Sequence, residues 1–303
     1  MSIMKKSGLA ALLLLLMSCT KVPPAAPNRI MAGYLEGDLG ALSIGDPRWD
    51  GAVETPIPLK QQLIALPKSE QDGVAQIGVR AFYNGEWAAF LLTWSDPTPD
   101  HLTKMGSFSD AAAMEFPMEP GDLPDSAMGG APGSAKPVLI HQWKAVWQEA
   151  EAGNIQGIKT FYPNTWSDVY LFEMPGTPEA RAKMERTFTT SVAAENPLAH
   201  HGKAVRDLEA VGFGSVNPSE EQLSKGNGEW ADGKWRVLIV RPVARLRGGL
   251  DTTRLLHAAF AVWDGAKGEV GARKMQSAWT PLEFLKPAAH ASNPKGGNSR
   301  GQH

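Results

Sequence analysis

The sequence predicts a turn-rich, mostly β domain with a large aromatic content. Composition supplies two observations: 31 Gly with 23 Pro among 303 residues, and 10 Trp. The third is a set of β-forming runs broken by Asn-Gly and Asp-Gly pairs, the residue types that tight hairpin turns require. Apolar residues make up 43% and charged residues 20%, so the chain can bury a core. The net charge of −2 leaves no basic excess for a phosphate backbone, which excludes nucleic acid as the main partner. A single cysteine, Cys19, excludes a disulfide framework, a Cys-ligated metal site and covalent haem attachment.

Residues 1–18 read as a lipoprotein signal peptide. Lys5 and Lys6 form a positive start, and Gly8 to Met17 is an apolar run too short to span about 30 Å of hydrocarbon. Leu16-Met17-Ser18-Cys19 resembles a bacterial lipobox, so Cys19 is the expected lipidation site. Residues 19–32 carry prolines without periodicity and read as a tether. Lipid at Cys19 implies attachment to the periplasmic side of a bacterial membrane through the anchor alone; Thr20, in place of Asp, favours the outer membrane. Residues 33–286 form the folded domain, and the Gly/Ser/Asn/Pro-rich stretch 287–303 reads as a disordered tail.

Within the domain, Val74 to Tyr83 and Glu86 to Trp94 flank Asn84-Gly85, the pair of a type I′ hairpin turn. Val138 to Trp147 alternates so that Leu139, His141, Trp143, Ala145 and Trp147 share one face if extended, although Trp143 and Trp147 also fit a helical i,i+4 pair. Gly228 to Arg241 turns at Asp232-Gly233 into a long β run. Leu255 to Trp263 and Ala272 to Trp279 form a second hairpin-like pair. A helix is expected from Thr177, with Thr177 as N-cap, Pro178 at the first position and Glu179 in the first turn. The Gly- and Pro-rich loop from Pro117 to Pro137 is long enough to suggest a functional role.

Catalytic signatures are missing. No GxSxG, HExxH, P-loop or GxGxxG occurs, and Gly212-Phe-Gly-Ser-Val has the wrong spacing for a nucleophile elbow. The adjacent pair His200-His201 would diverge in either regular structure and reads as a solvated loop rather than a metal site. The 32 acidic residues always permit a glycosidase pair, and none is marked out.

A set of motifs keeps its order over roughly 33–286: Trp94-Ser-Asp, Asp110-Ala-Ala-Ala-Met-Glu-Phe-Pro117, Ala127-Met-Gly129 and Pro137-Val-Leu-Ile-His-Gln-Trp-Lys144. Leu208-Glu-Ala-Val-Gly-Phe-Gly214, Gly228-Glu-Trp-Ala-Asp-Gly-Lys-Trp235, Ala259-Phe-Ala-Val-Trp-Asp-Gly265 and Gly271-Ala-Arg-Lys-Met-Gln-Ser-Ala-Trp279 follow. This series resembles the haem-b-binding γ subunit of ethylbenzene dehydrogenase and related small subunits of type II dimethyl-sulfoxide-reductase-family molybdoenzymes. The resemblance implies a two-sheet antiparallel β-sandwich with a few helices in inserted loops. It also implies one non-covalent haem b ligated by a methionine and a lysine, and no catalysis by the chain itself. Implied partners are a molybdopterin catalytic subunit, an iron–sulfur subunit and a soluble cytochrome or similar redox partner. The lipobox departs from the better-known relatives, which are soluble.

On this resemblance the iron ligands are Met128 and Lys274. Lys274 lies where the family places its lysine, although a lone lysine is ordinarily a solvated surface cation. Ligation needs the free amine, so burial must depress its pKa. Met128 precedes Gly129-Gly130, where small neighbours let the backbone approach a flat macrocycle. Met114 is the alternative and reads more as core filling, with Met118 and His141 behind it. Trp94, Trp143, Trp147, Phe260 and Trp263 are expected either as haem walls between the two sheets or as plain core. Two other classes compete: a Trp-rich sandwich lipoprotein binding carbohydrate or another small ligand without haem, and an assembly factor without any ligand.

Overall fold

The computed structural model describes residues 29–101, 108–126, 128–131, 133–154, 163–164, 177–179, 203–244 and 249–286. The signal peptide, Cys19, most of the tether, His200-His201, the tail 287–303 and the expected helix beyond Glu179 lie outside the described residues; Pro178 and Glu179 themselves are helical.

The strands in chain order are β1 (Ile30–Tyr34), β2 (Thr55–Pro58), β3 (Lys60–Gln61), β4 (Gln76–Tyr83), β5 (Trp87–Ser95), β6 (Ala111–Pro117) and β7 (Val138–Lys144). After α1 (Ala145–Glu151) come β8 (Val205–Ala210), β9 (Asn217–Pro218), β10 (Lys225–Ala231), β11 (Lys234–Pro242), β12 (Leu256–Trp263), β13 (Met275–Gln276) and β14 (Thr280–Phe284). Hydrogen bonding links them in the order β10-β11-β5-β4-β1-β14 and then β12-β6-β7-β8-β9. The hinge between the two layers is β12: Leu256 to Ala258 pair with β14, and Ala259 to Trp263 pair with β6. Pairing is antiparallel except at β1, which runs parallel to both β14 and β4. β1 opens at Ile30, three residues inside the stretch read as tether, because Ile30 and Ala32 are fully buried.

Both faces of the first layer are covered. On the inner side Phe90 meets Phe116 of β6 at 5.9 Å between centroids. Trp143 of β7 meets Trp235 of β11 at 5.0 Å and Trp94 of β5 at 6.4 Å, closing an apolar core between the layers. On the outer side Leu39, Leu42, Ile44 and Trp49 cap Ala89, Leu91, Leu238 and Val240. Such two-sided burial explains why β5 reads as a nearly continuous apolar run.

Three expected elements differ. Of Ala272 to Trp279, expected as the partner strand of Leu255 to Trp263, only the two residues of β13 pair with β12. Asn84-Gly85 does turn the β4–β5 hairpin, but neither residue has positive φ. Instead Asn84 Oδ1 accepts the backbone N–H groups of Glu86 and Trp87, so a side-chain turn replaces type I′. Asp232 and Gly233 do both adopt positive φ, 51° and 72°, as a type I′ turn demands. Val138 to Trp147 is neither all strand nor all helix: it is β7 as far as Lys144 and α1 from Ala145. Trp143 and Trp147 therefore do not share a face.

Candidate haem site

Strand alternation sends Ala112, Met114 and Phe116 into the inter-layer core and Ala111, Ala113 and Glu115 to the outer face of the second layer. β12 repeats the pattern, with Ala259 and Ala261 beside them on that outer side. These four alanines and Ile140 floor a cavity of about 590 Å³, within the range of roughly 300–1,000 Å³ usual for small-molecule sites. Trp147 of α1, Trp263 at the end of β12 and Phe108 supply aromatic walls. The cavity is thus on the flank of the sandwich, not between its sheets. That corrects the expected walls: Trp94 and Trp143 belong to the inter-layer core, while Trp147 and Trp263 line the cavity.

Met128 enters from the long β6–β7 loop. The loop is held by an antiparallel bridge between Asp125 and Gly129, and by Met118 N–H donating to the Pro137 carbonyl at 3.0 Å. Met128 has φ +54°, a left-handed conformation that costs a side-chain-bearing residue about 1–2 kcal/mol. Its carbonyl is fixed by Gly212 N–H, accepted at 2.8 Å, and the buried Glu115 carboxyl lies beside its backbone N–H. Gly129 must be glycine, because a Cβ there would sit 2.1 Å from the Lys136 carbonyl oxygen. Trp279 Nε1 donates to the Pro124 carbonyl at 2.6 Å and Ser126 Oγ to the Ser277 carbonyl at 2.8 Å, lacing the loop to the chain after Lys274.

Lys274 precedes β13, its carbonyl accepting Gln62 N–H at 3.2 Å. It lines the same cavity as Met128, is only 6% exposed, and carries Nζ 5.4 Å from the Trp263 ring centre. Burial pushes its ammonium down against the attraction of Glu115, and burial pushes the Glu115 carboxyl up against the attraction of Lys274. Both directions favour a neutral amine beside a neutral acid. A buried neutral amine is a nitrogen donor with a free lone pair, which a metal can take.

The other sequence candidates fall elsewhere. Met114 contributes to the cavity wall but is fully buried and packs in the inter-layer core. His141 is fully buried in that core, its Nδ1 2.6 Å from Asp207 Oδ1 and 3.0 Å from Ser224 Oγ; burial holds its protonation down to about 4. Neither His141 nor Met118 lines the cavity. Sequence reasoning missed the alanine floor, Glu115 and Lys144. Lys144 ends β7 at the cavity with Nζ 4.6 Å from the Trp147 ring, and burial with neighbouring Arg206 lowers its ammonium. The signal was present in Asp110-Ala-Ala-Ala-Met-Glu-Phe: small residues and one acid on one side of a strand, large apolar ones on the other.

The sequence profile of the ethylbenzene dehydrogenase family matches residues 46–275. The chain belongs to that family. A curated relative from Haloferax mediterranei, named as a respiratory nitrate reductase heme subunit, is 21% identical over 240 residues. The match takes in 78% of this chain and 66% of that protein's length. Among solved structures, two of a family 9 carbohydrate-binding module from Caldicellulosiruptor kristjanssonii, with glucose and with cellotriose, align over 88% of this chain. Their TM-score is 0.38, with 8% and 9% identity, and the alignments take in 100% and 98% of those chains. Among the described residues no helix is long and apolar enough to cross a membrane.

Proposed function

We propose that this chain is the haem b electron-transfer subunit of a periplasmic molybdoenzyme complex, lipid-anchored at Cys19. The observation that carries the reading is the alanine-floored cavity with Met128 and Lys274 both on its lining. A floor made chiefly of alanine methyls suits a flat macrocycle, and a thioether with a buried amine suits an iron centre of b type without any cysteine. Family membership and the name of the Haloferax relative support the same reading.

Met128 and Lys274 would hold the iron, and Lys144 is the cation of the lining suited to a propionate. When bound, the haem supplies a reversible one-electron couple. The chain's own residues prepare its place. Burial pushes the Lys274 ammonium toward the free amine, the Gly212 N–H bond fixes the Met128 backbone, and Trp147 and Trp263 exclude water. No residue has to move a proton to substrate, in keeping with a subunit that passes electrons between an iron–sulfur subunit and an external redox partner while a molybdopterin subunit does the chemistry.

Purified full-length protein should show a Soret band, sharp reduced α and β bands and one acid-extractable haem. Met128→Ala and Lys274→Ala should each lose the six-coordinate low-spin spectrum, and Met114→Ala should keep it. A colourless protein from haem-replete cells would overturn the reading. Retention by Met128→Ala with loss in Met114→Ala would overturn the ligand assignment.

A further inference from the structure

Beyond the candidate iron ligands, charge is spread unevenly along the floor of the haem cavity. Ala111, Ala113 and Glu115 follow one another on the cavity side of β6, which puts Ala111 and Glu115 about 13 Å apart at the rise of an extended strand. Around Glu115 the ionisable groups are Lys274, which the haem reading assigns to the iron, and Asp125, a second acid. Around Ala111 cations predominate. Lys144 is the cross-strand neighbour of Ala111, and Arg206 is that of Gln142 in the next row on the same face.

Aromatic rings gather three cations at that end. Lys144 Nζ and Arg206 Cζ each lie 4.6 Å from the centre of the Trp147 ring, and Arg273 Cζ lies 5.6 Å from that of Phe108. Trp147 and Phe108 both line the cavity, as does Lys144 itself. Among the described residues Lys144 and Arg273 form no ion pair. The charge acting on Lys144 is the like charge of Arg206, itself buried. Arg273 Nε is buried without a hydrogen-bond partner. The acid of the lining nearest this end, Glu269, is turned to other groups. Its carboxylate accepts Asp264 N–H at 2.9 Å and the Ser69 hydroxyl at 3.4 Å, and the cation acting on it is Lys267.

Cations held together away from water are unfavourable without an anion, and aromatic faces offset only part of that cost. The ligand that suits such a cavity is a flat apolar body with acidic groups along one edge. Ammonium and guanidinium donors meet carboxylates through charge-assisted hydrogen bonds, while the alanine floor admits the ring. Haem carries two propionates on one edge. Turned the other way, those carboxylates would face Glu115 and Asp125.

We infer that Lys144, Arg206 and Arg273 bind the two propionates, so that haem lies one way round, its carboxylate edge toward Phe108 and Trp147 and its apolar edge toward Glu115. This rests on the haem reading and adds to it a direction and two cations, Arg206 and Arg273.

The test is titration of the full-length protein, freed of haem, with haemin and with haemin dimethyl ester, followed at the Soret band. The ester keeps the iron and the ring and loses both charges. Wild type should bind haemin about a hundredfold or more tighter than the ester. Lys144→Met and Arg273→Met should each narrow that ratio by about tenfold, the weight of one charge-assisted hydrogen bond, at unchanged affinity for the ester. Lys144→Arg, which keeps the charge, should keep the ratio. Lys136→Met, on the Met128 loop, should leave it unchanged. If a variant fails to fold, the comparison of the two ligands on the wild type still decides. Equal binding of haemin and ester, each with a Soret shift, would overturn the propionate site and leave the haem reading standing. No Soret change with either would overturn the haem reading itself. A ratio narrowed by Lys136→Met and not by the other two variants would overturn the direction.

Discussion

Gly129→Ala tests how the loop presents Met128. At φ +85° an alanine is strained, at roughly 1–3 kcal/mol for a non-glycine residue held in such a region. Its Cβ would also lie 2.1 Å from the Lys136 carbonyl oxygen, a clash with backbone that no rotamer change relieves. Relief requires the loop to part. That sacrifices the Lys136 N–H bond to the Gly129 carbonyl (3.0 Å) and strains the Gly212 N–H bond to the Met128 carbonyl (2.8 Å). Each is worth about 1 kcal/mol. The whole effect is about 3–5 kcal/mol and is local to the loop, since neither layer of the sandwich depends on it. With about 1.4 kcal/mol per factor of ten, haem affinity should fall by about 10²- to 4 × 10³-fold while the thermal midpoint of the apoprotein moves little. Gly121→Ala is the control: its φ is +115° but nothing lies within 4 Å of a Cβ, so only backbone strain is added. The assay is haemin titration of the apoprotein followed at the Soret band. A Gly129→Ala variant that binds haem within threefold of Gly121→Ala would refute the claim that this loop geometry sets the site.

Ala113→Phe should fill the floor and cut haem occupancy more than tenfold at an unchanged or raised apoprotein midpoint, read by haem extraction and calorimetry; normal occupancy would show that the cavity is not the site. Trp143→Ala should cost about 3–5 kcal/mol in urea unfolding, because the ring is fully buried against Trp94 and Trp235. His141 gives a pH signature. Its folded pKa is held near 4 by burial against an ordinary 6.5, so as pH falls from 6.5 to 4 the unfolded chain takes up a proton that the native chain refuses. The stability present above pH 6.5 should therefore drain away by about 3 kcal/mol across that window, relative to His141→Asn over the same urea melts. A pH-independent difference between the two proteins would count against the buried neutral imidazole.

How much of this was legible beforehand depended on whether a signal was local. Asp232-Gly233 announced its turn because positive φ at two successive positions is a property of those residues themselves. Asn84-Gly85 announced a turn but not its chemistry, since the Asn84 side chain took over the bonding that a type I′ backbone would have supplied. The lysine and methionine were visible as motif members, and both line one cavity. The placement of that cavity was not visible. On β6 both faces are apolar, alanines on one side and Met114 and Phe116 on the other, so alternation alone does not reveal which face meets the opposite sheet. Tryptophans looked like haem walls for the same reason: Trp143 and Trp147 lie four residues apart, yet a strand-to-helix change between them sends one to the core and one to the cavity.

Because the aromatic core between the layers closes upon itself, the architecture separates folding from maturation. The inner Trp94, Trp143 and Trp235 cluster and the capped outer face of the first layer are complete from polypeptide alone. A prosthetic group seated on the flank can then be a late arrival, delivered to a receptor already shaped for it and exchanged without dismantling the scaffold.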